Sequence, residues 1–239
     1  ADGGFECQHN LAGPDNYTIG EVATFARIPA RQVRRWLRGY RSGNQTYPSL
    51  WSSDLSGGPL QQAFGFHDLL EVRVVYAFRQ YGVSLPTIRK ACQHAREYFE
   101  RPYPFTCQRF LTDGRTVFAE ILEQAGEAED AKLLDMARKQ YVFERVVRPS
   151  LYAGIEYDES GNAQRWFLAD RKRRIVLDPA RNFGKPILAE SGVRKEALFA
   201  TYRLEQDSRR VAAIYEVPVA DVETAIRYEQ QLSEQRLAA

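Results

Sequence analysis

Apolar positions recur at helical spacing through most of the 239-residue chain and give way to strand-like runs only in its middle. Thr18-Ile19-Gly20-Glu21 is a capping box, and Val22, Ala23 and Ala26 follow it, which predicts a short helix. Arg27-Ile28-Pro29 interrupts the pattern. A second short helix is expected from Ala30, with Val33, Trp36 and Leu37 on its inner side. Arg31, Arg34, Arg35 and Arg38 fall at i, i+3, i+4 and i+7 and share the opposite side. Two short helices joined by a tight turn, the second cationic outside and apolar inside, read as a helix-turn-helix.

A polar interval rich in Gly, Ser and Pro runs from Arg41 to Gly65 and holds Tyr47, Trp51, Gly57, Gly58 and Pro59. It reads either as a wing beside the basic helix or as a plain surface loop. His67 to Tyr81 is expected to be helical, with Leu70, Val74, Ala77, Phe78 and Tyr81 in one stripe and Gly82 at the C-terminal cap. Ser84 caps a further predicted helix carrying Ile88, Ala91, Cys92, Ala95 and Phe99, which stops before Pro102 and Pro104.

The middle changes period. Phe105–Leu111 and Arg115–Ile121 flank Asp113-Gly114 and predict a hairpin. Residues 127–148 look helical. Tyr152–Tyr157 and Ala163–Leu168 flank Asp158-Glu159-Ser160-Gly161-Asn162 and predict a second hairpin, with Arg174–Leu177 as another strand. Three helices are expected in the tail, over Arg194–Leu204, Ser208–Tyr215 and Ala220–Leu232, the second capped by Asp207 or Ser208. Val217-Pro218 separates the last two. The fold class expected is α+β and mostly helical. The segments are a disordered lead (1–16), a winged helix-turn-helix domain (17–101), a mixed strand and helix linker or dimerisation segment (102–174), and a helical module (175–239).

Composition narrows the function. Hydrophobic residues make up 44% and charged residues 27%, and the net charge is only +2, so the chain is no generic polycation. Its charge is nevertheless uneven: from Tyr17 to Arg41 six arginines face one glutamate, giving +5 in 25 residues. From Val211 to the end five acids face two arginines, giving −3. Three cysteines without CxxC spacing argue against a disulfide framework and for a reducing cytoplasm. No stretch has the length and apolarity of a membrane span, and the polar lead has no signal-peptide core. No HExxH, GxSxG, P-loop or GxGxxG occurs, so neither an enzyme, a metal nor a cofactor is expected.

Two resemblances sharpen this reading. The string YTIGEVATFARIPARQVRRWLRGYR, followed by FHDLLEVRVVYAFRQYGVSLPTIRKA, resembles the DNA-binding domain of the MerR-type regulators, although its turn lacks the usual glycine and its wing interval is longer. IVLDPARNFGKPIL, followed by ESGVRKEALFATYRLEQDSRRVAAIYEVPVADVETAIRYEQQL, resembles a small helical module, the domain of unknown function 433. That module implies a homeodomain-like three-helix fold and an antitoxin paired with a PIN-like ribonuclease toxin. Together the resemblances imply an antitoxin that neutralises a cognate toxin and, as a homodimer, represses its own operon at a palindromic double-stranded DNA operator.

The residues assigned to DNA follow. Arg31, Arg34, Arg35 and Arg38 would neutralise phosphates and offer planar forks to guanine edges. Gln32 is an adenine reader by type, Tyr40 and Arg41 would reach the backbone from the wing base, and Thr18, at the start of the first helix, is assigned to DNA with them. Arg171, Lys172, Arg173 and Arg174, with Lys185, form a second basic set suited to an acidic toxin cleft or to phosphates, or to a plain solvated loop. Asp221, Glu223 and Glu229 make the last helix a poor partner for phosphates and point that module at protein. The alternative reading is a stand-alone MerR-like regulator with a ligand-sensing middle segment.

Overall fold

The structure is a computed structural model and describes residues 17–50, 64–114, 149–168 and 174–237. The expected lead over 1–16, the centre of the wing interval at 51–63, the strand at 115–121, the helix at 127–148 and the basic residues Arg171, Lys172 and Arg173 lie outside the described residues. Within them the chain is α+β and mostly helical, with eight α-helices and two small antiparallel sheets. None of these helices is long and apolar enough to cross a membrane.

Helix α1 (Ile19–Ala26) starts on the capping box read from sequence: Thr18 Oγ1 accepts from the Glu21 N–H, and the Thr18 N–H donates to the Glu21 carboxylate. Helix α2 (Ala30–Arg38) follows and buries Val33, Trp36 and Leu37. Strands β1 (Tyr40–Ser42) and β2 (Gln45–Tyr47) then pair as a hairpin, so the wing interval begins with regular structure. Helix α3 (Phe66–Gln80) opens where Gly65 N–H donates to the buried Asp68 carboxylate, 2.8 Å away. Helix α4 (Leu85–Phe99) starts on Ser84, whose hydroxyl accepts from Thr87 N–H.

The hairpin expected over Phe105–Leu111 is not formed. Pro104–Thr106 is a single 3-10 turn, and residues 110–114 are helical. The cause lies on another element: the buried Glu71 of α3 accepts hydrogen bonds at Oε1 from the N–H groups of Phe105 (2.9 Å) and Thr106 (3.3 Å). With these two donors taken up by Glu71 and no N–H on Pro104, the start of the segment has no donor left for a strand partner. Phe105 and Phe110 pack on each other and on Phe78 and Phe99.

The second hairpin forms, but its first strand is shorter than the expected Tyr152–Tyr157, because Tyr152 belongs to a helix. Helix α5 (Pro149–Tyr152) precedes strand β3 (Ile155–Tyr157), and strands β4 (Ala163–Phe167), β5 (Ile175–Leu177) and β6 (Ile187–Leu188) complete an antiparallel meander in the order β3-β4-β5-β6. The register pairs Ile155 with Trp166, Trp166 with Leu177, and Ile175 with Leu188. The continuous run Ile175-Val176-Leu177 is buried throughout, as suits an inner strand covered on both faces. Strand β6 was not expected, because two residues are too few to carry a period. The sheet takes strands from both sides of residue 174.

Helices α6 (Lys195–Glu205), α7 (Ser208–Tyr215) and α8 (Val219–Leu237) match the three predicted in the tail. Asp207 caps α7 by accepting from the Arg209 and Arg210 N–H groups. Leu198, Val211, Val222 and Ala225 form the heart of their own small core. This part also touches the chain's beginning, since Tyr17 donates its hydroxyl to the Gly184 carbonyl and Tyr228 packs on the larger core.

Candidate nucleic-acid interface

The helix pair α1–α2 is held from beneath. Val22, Phe25 and Ile28 from the first helix and turn, with Val33, Trp36 and Leu37 from the second, enter the larger core. Burial of these side chains, each contributing roughly 1.5–3 kcal/mol, fixes the rotation of α2 about its axis. Arg31, Arg34 and Arg38 are thereby turned outward, and all three are exposed. Arg41 on β1 is exposed as well. None of the four has a carboxylate partner among the described residues, so no described acid cancels the local excess of positive charge by pairing with it. Gln32 is half-buried beside them.

Arg35 differs from its neighbours. It is half-buried, and its guanidinium carbon lies 3.8 Å from the centre of the Tyr40 ring. Tyr40 in turn stacks on Tyr47 with ring centres 4.7 Å apart and planes 12° from parallel. Arg89 of α4 donates to the Pro48 carbonyl (2.9 Å), and the Leu50 N–H donates to the Trp36 carbonyl (2.8 Å). Gly39 joins α2 to the hairpin at φ 72°, and a Cβ there would lie 2.3 Å from the Tyr47 carbonyl oxygen. The open end of the hairpin is thus tied to α2 through Gly39 and Leu50 and to α4 through Arg89. The hairpin signal missed in the sequence is Gly43-Asn44, whose glycine sits at φ 58° in the first central position of a two-residue turn.

The turn between the helices carries a cost. Arg27 ends α1 in the left-handed region (φ 59°, ψ 47°), where a glycine is favoured. An L-residue with Cβ is strained there by about 1–2 kcal/mol. Glycine relieves that strain but adds freedom to the unfolded chain, so Arg27→Gly should stabilise by roughly 0.5–1 kcal/mol. Thermal unfolding should show a rise of about 1–4 °C in Tm. An unchanged or lower Tm would mean that the arginine side chain contributes more than its backbone costs.

The remaining site residues divide. Thr18 is committed to the α1 cap. Lys185 forms an ion pair with Glu21 and lies 5.3 Å from the Tyr17 ring centre. Burial works against the Glu21 charge, but hydrogen bonds from Lys185 and Thr18 outweigh it and hold the carboxyl below its usual range. Arg174 pairs with the buried Asp221, and the buried Lys195 pairs with Glu229. Arg174 and Lys185 therefore serve as internal ties between distant segments. Of the four acids on α8, Asp221 and Glu229 are thereby paired, whereas Glu223 and Glu234 are exposed. These pairs join residues 34 to 164 positions apart, a separation no local pattern reports.

No family model matches the chain. It is similar to a Mycobacterium tuberculosis (strain ATCC 25618 / H37Rv) protein named "Putative antitoxin VapB45", at 27% identity over 213 residues, covering 84% of this chain and 88% of that one. The fold is that of the X-ray crystal structure of Rv2018 from Mycobacterium tuberculosis, with a TM-score of 0.67 and 21% identity across 90% of this chain and 98% of that one.

Proposed function

We propose that this chain is an antitoxin, which binds and neutralises a cognate toxin and, as a dimer, binds a palindromic operator to repress its own operon. The observation that carries the DNA half is the exposed ridge of Arg31, Arg34 and Arg38 on a helix whose other face is locked into the core. In this reading α1 and α2 are a helix-turn-helix, the β1–β2 hairpin is its wing, and α2 enters the major groove. Arg31, Arg34 and Arg38 meet phosphates and guanine edges, Gln32 an adenine, and Arg41 the backbone beside the groove. A two-fold dimer then matches half-sites set whole helical turns apart.

The toxin half is supported by the relative that carries the antitoxin name over most of its length. The partner in this reading is a PIN-like ribonuclease, and the chain acts by binding rather than by catalysis, in the cytoplasm. The homeodomain-like module of α6, α7 and α8 is the part assigned to protein, since it leaves Leu204 and Ile214 exposed. Co-expression with the product of the neighbouring small reading frame tests this half. The expected result is a complex that survives purification and suppresses the neighbour's RNA cleavage. A neighbour that neither binds nor cleaves RNA would remove the toxin from the proposal.

A further inference from the structure

We propose that Arg35 is a positioning residue, which seats the β1–β2 hairpin against α2 and leaves the groove to Arg31, Arg34 and Arg38. By sequence spacing the four arginines are equivalent. By structure they are not, because Arg35 alone of the four sits over an aromatic ring and is half-buried. The Tyr40 ring contacts both the Arg35 guanidinium and the Tyr47 ring, giving a column of contacts that starts on α2 and crosses both strands. Tyr40 and Tyr47 are directly paired in the ladder, so the column holds the two strands to each other as well as to the helix. A two-stranded hairpin of this length does not hold its place unaided. Arg89 ties the strand leaving the hairpin's open end through the Pro48 carbonyl, and Arg35 ties the strand entering it next to Gly39. Desolvation on the ring favours this cation–π contact over one made in open water.

The DNA consequence rests on the reading given above, whereas the hairpin consequence does not. Arg35→Ala and Tyr40→Leu, singly and combined, separate the two. In the free protein, amide hydrogen exchange over Tyr40–Tyr47 should speed up by about 2- to 30-fold in either single variant. The double variant should exceed the larger single effect by little, because both remove the same contact. Tyr40→Phe keeps the ring and should exchange like the wild type, and the amides of Val22 and Phe25 in α1 should not change in any variant. Two duplexes of equal length serve as DNA probes, one from upstream of the chain's own reading frame and one of random sequence. Arg35→Ala should lower affinity for both while keeping the wild-type salt slope, whereas Arg34→Ala should flatten that slope by about one unit. Unchanged hairpin exchange in Arg35→Ala overturns the proposal. So does a slope flattened as much as in Arg34→Ala. If no form binds either duplex, the DNA reading fails and hydrogen exchange alone decides what Arg35 does.

Discussion

Between about pH 5 and about pH 8 the wild-type fold should lose stability relative to a Glu71→Gln variant, at close to 1.4 kcal/mol per pH unit. Glu71 sits on α3 with its side chain enclosed, and burial pushes its carboxyl up to about 8. The nearby Arg96 guanidinium and the hydrogen bonds from Phe105 and Thr106 oppose this without cancelling it. Oε2 has no hydrogen-bond partner among the described residues, which suits a neutral acid better than an anion. The folded-state value lies above the ordinary 4.5, so the unfolded chain ionises first as pH rises. The stabilisation is complete below about pH 4.5 and is spent by about pH 8. The gap of roughly 3.5 pH units corresponds to about 5 kcal/mol. Glutamine keeps the carbonyl that accepts from Phe105 and Thr106 and cannot ionise. Urea unfolding across the range should therefore show a falling midpoint in the wild type that the variant lacks. Parallel curves would mean that Glu71 is already ionised in the native protein.

The second large effect is expected on DNA. Replacing Arg31, Arg34 and Arg38 together by alanine should cost about 3 kcal/mol or more in binding, upwards of roughly a hundredfold in affinity. Folding should be little affected, because all three side chains are exposed and none is paired with a carboxylate among the described residues. Circular dichroism and Tm close to wild type, together with lost binding in a fluorescence titration, is the expected pair of results. Full-strength binding by the triple variant would place the interface elsewhere.

The local signals in this chain were legible where structure is made locally. The Thr18–Glu21 capping box, the Ser84 and Asp207 caps and the two-faced α2 all follow from residues within one or two turns of each other. The Phe105–Leu111 segment was misread because its first two backbone donors are taken by the Glu71 carboxyl, 34 and 35 residues away. Strand β6 was missed because its two residues carry no period of their own. At the candidate interface the arginine ridge was visible as spacing, but the difference between Arg35 and its neighbours was not. It depends on where the hairpin folds back, and that is set by Gly39, Gly43 and Arg89 together. Lys185 and Arg174 were read as free cations for the same reason, since Glu21 and Asp221 reach them only through the tertiary fold.

The ridge on α2 is most directly tested by the salt dependence of binding to the duplex from upstream of the chain's own reading frame. The logarithm of the binding constant should fall linearly with the logarithm of salt concentration. The slope of the Arg34→Ala/Arg38→Ala variant should be smaller by about two units, one for each phosphate contact removed. Identical slopes in the wild type and the variant would contradict the placement of this helix on DNA.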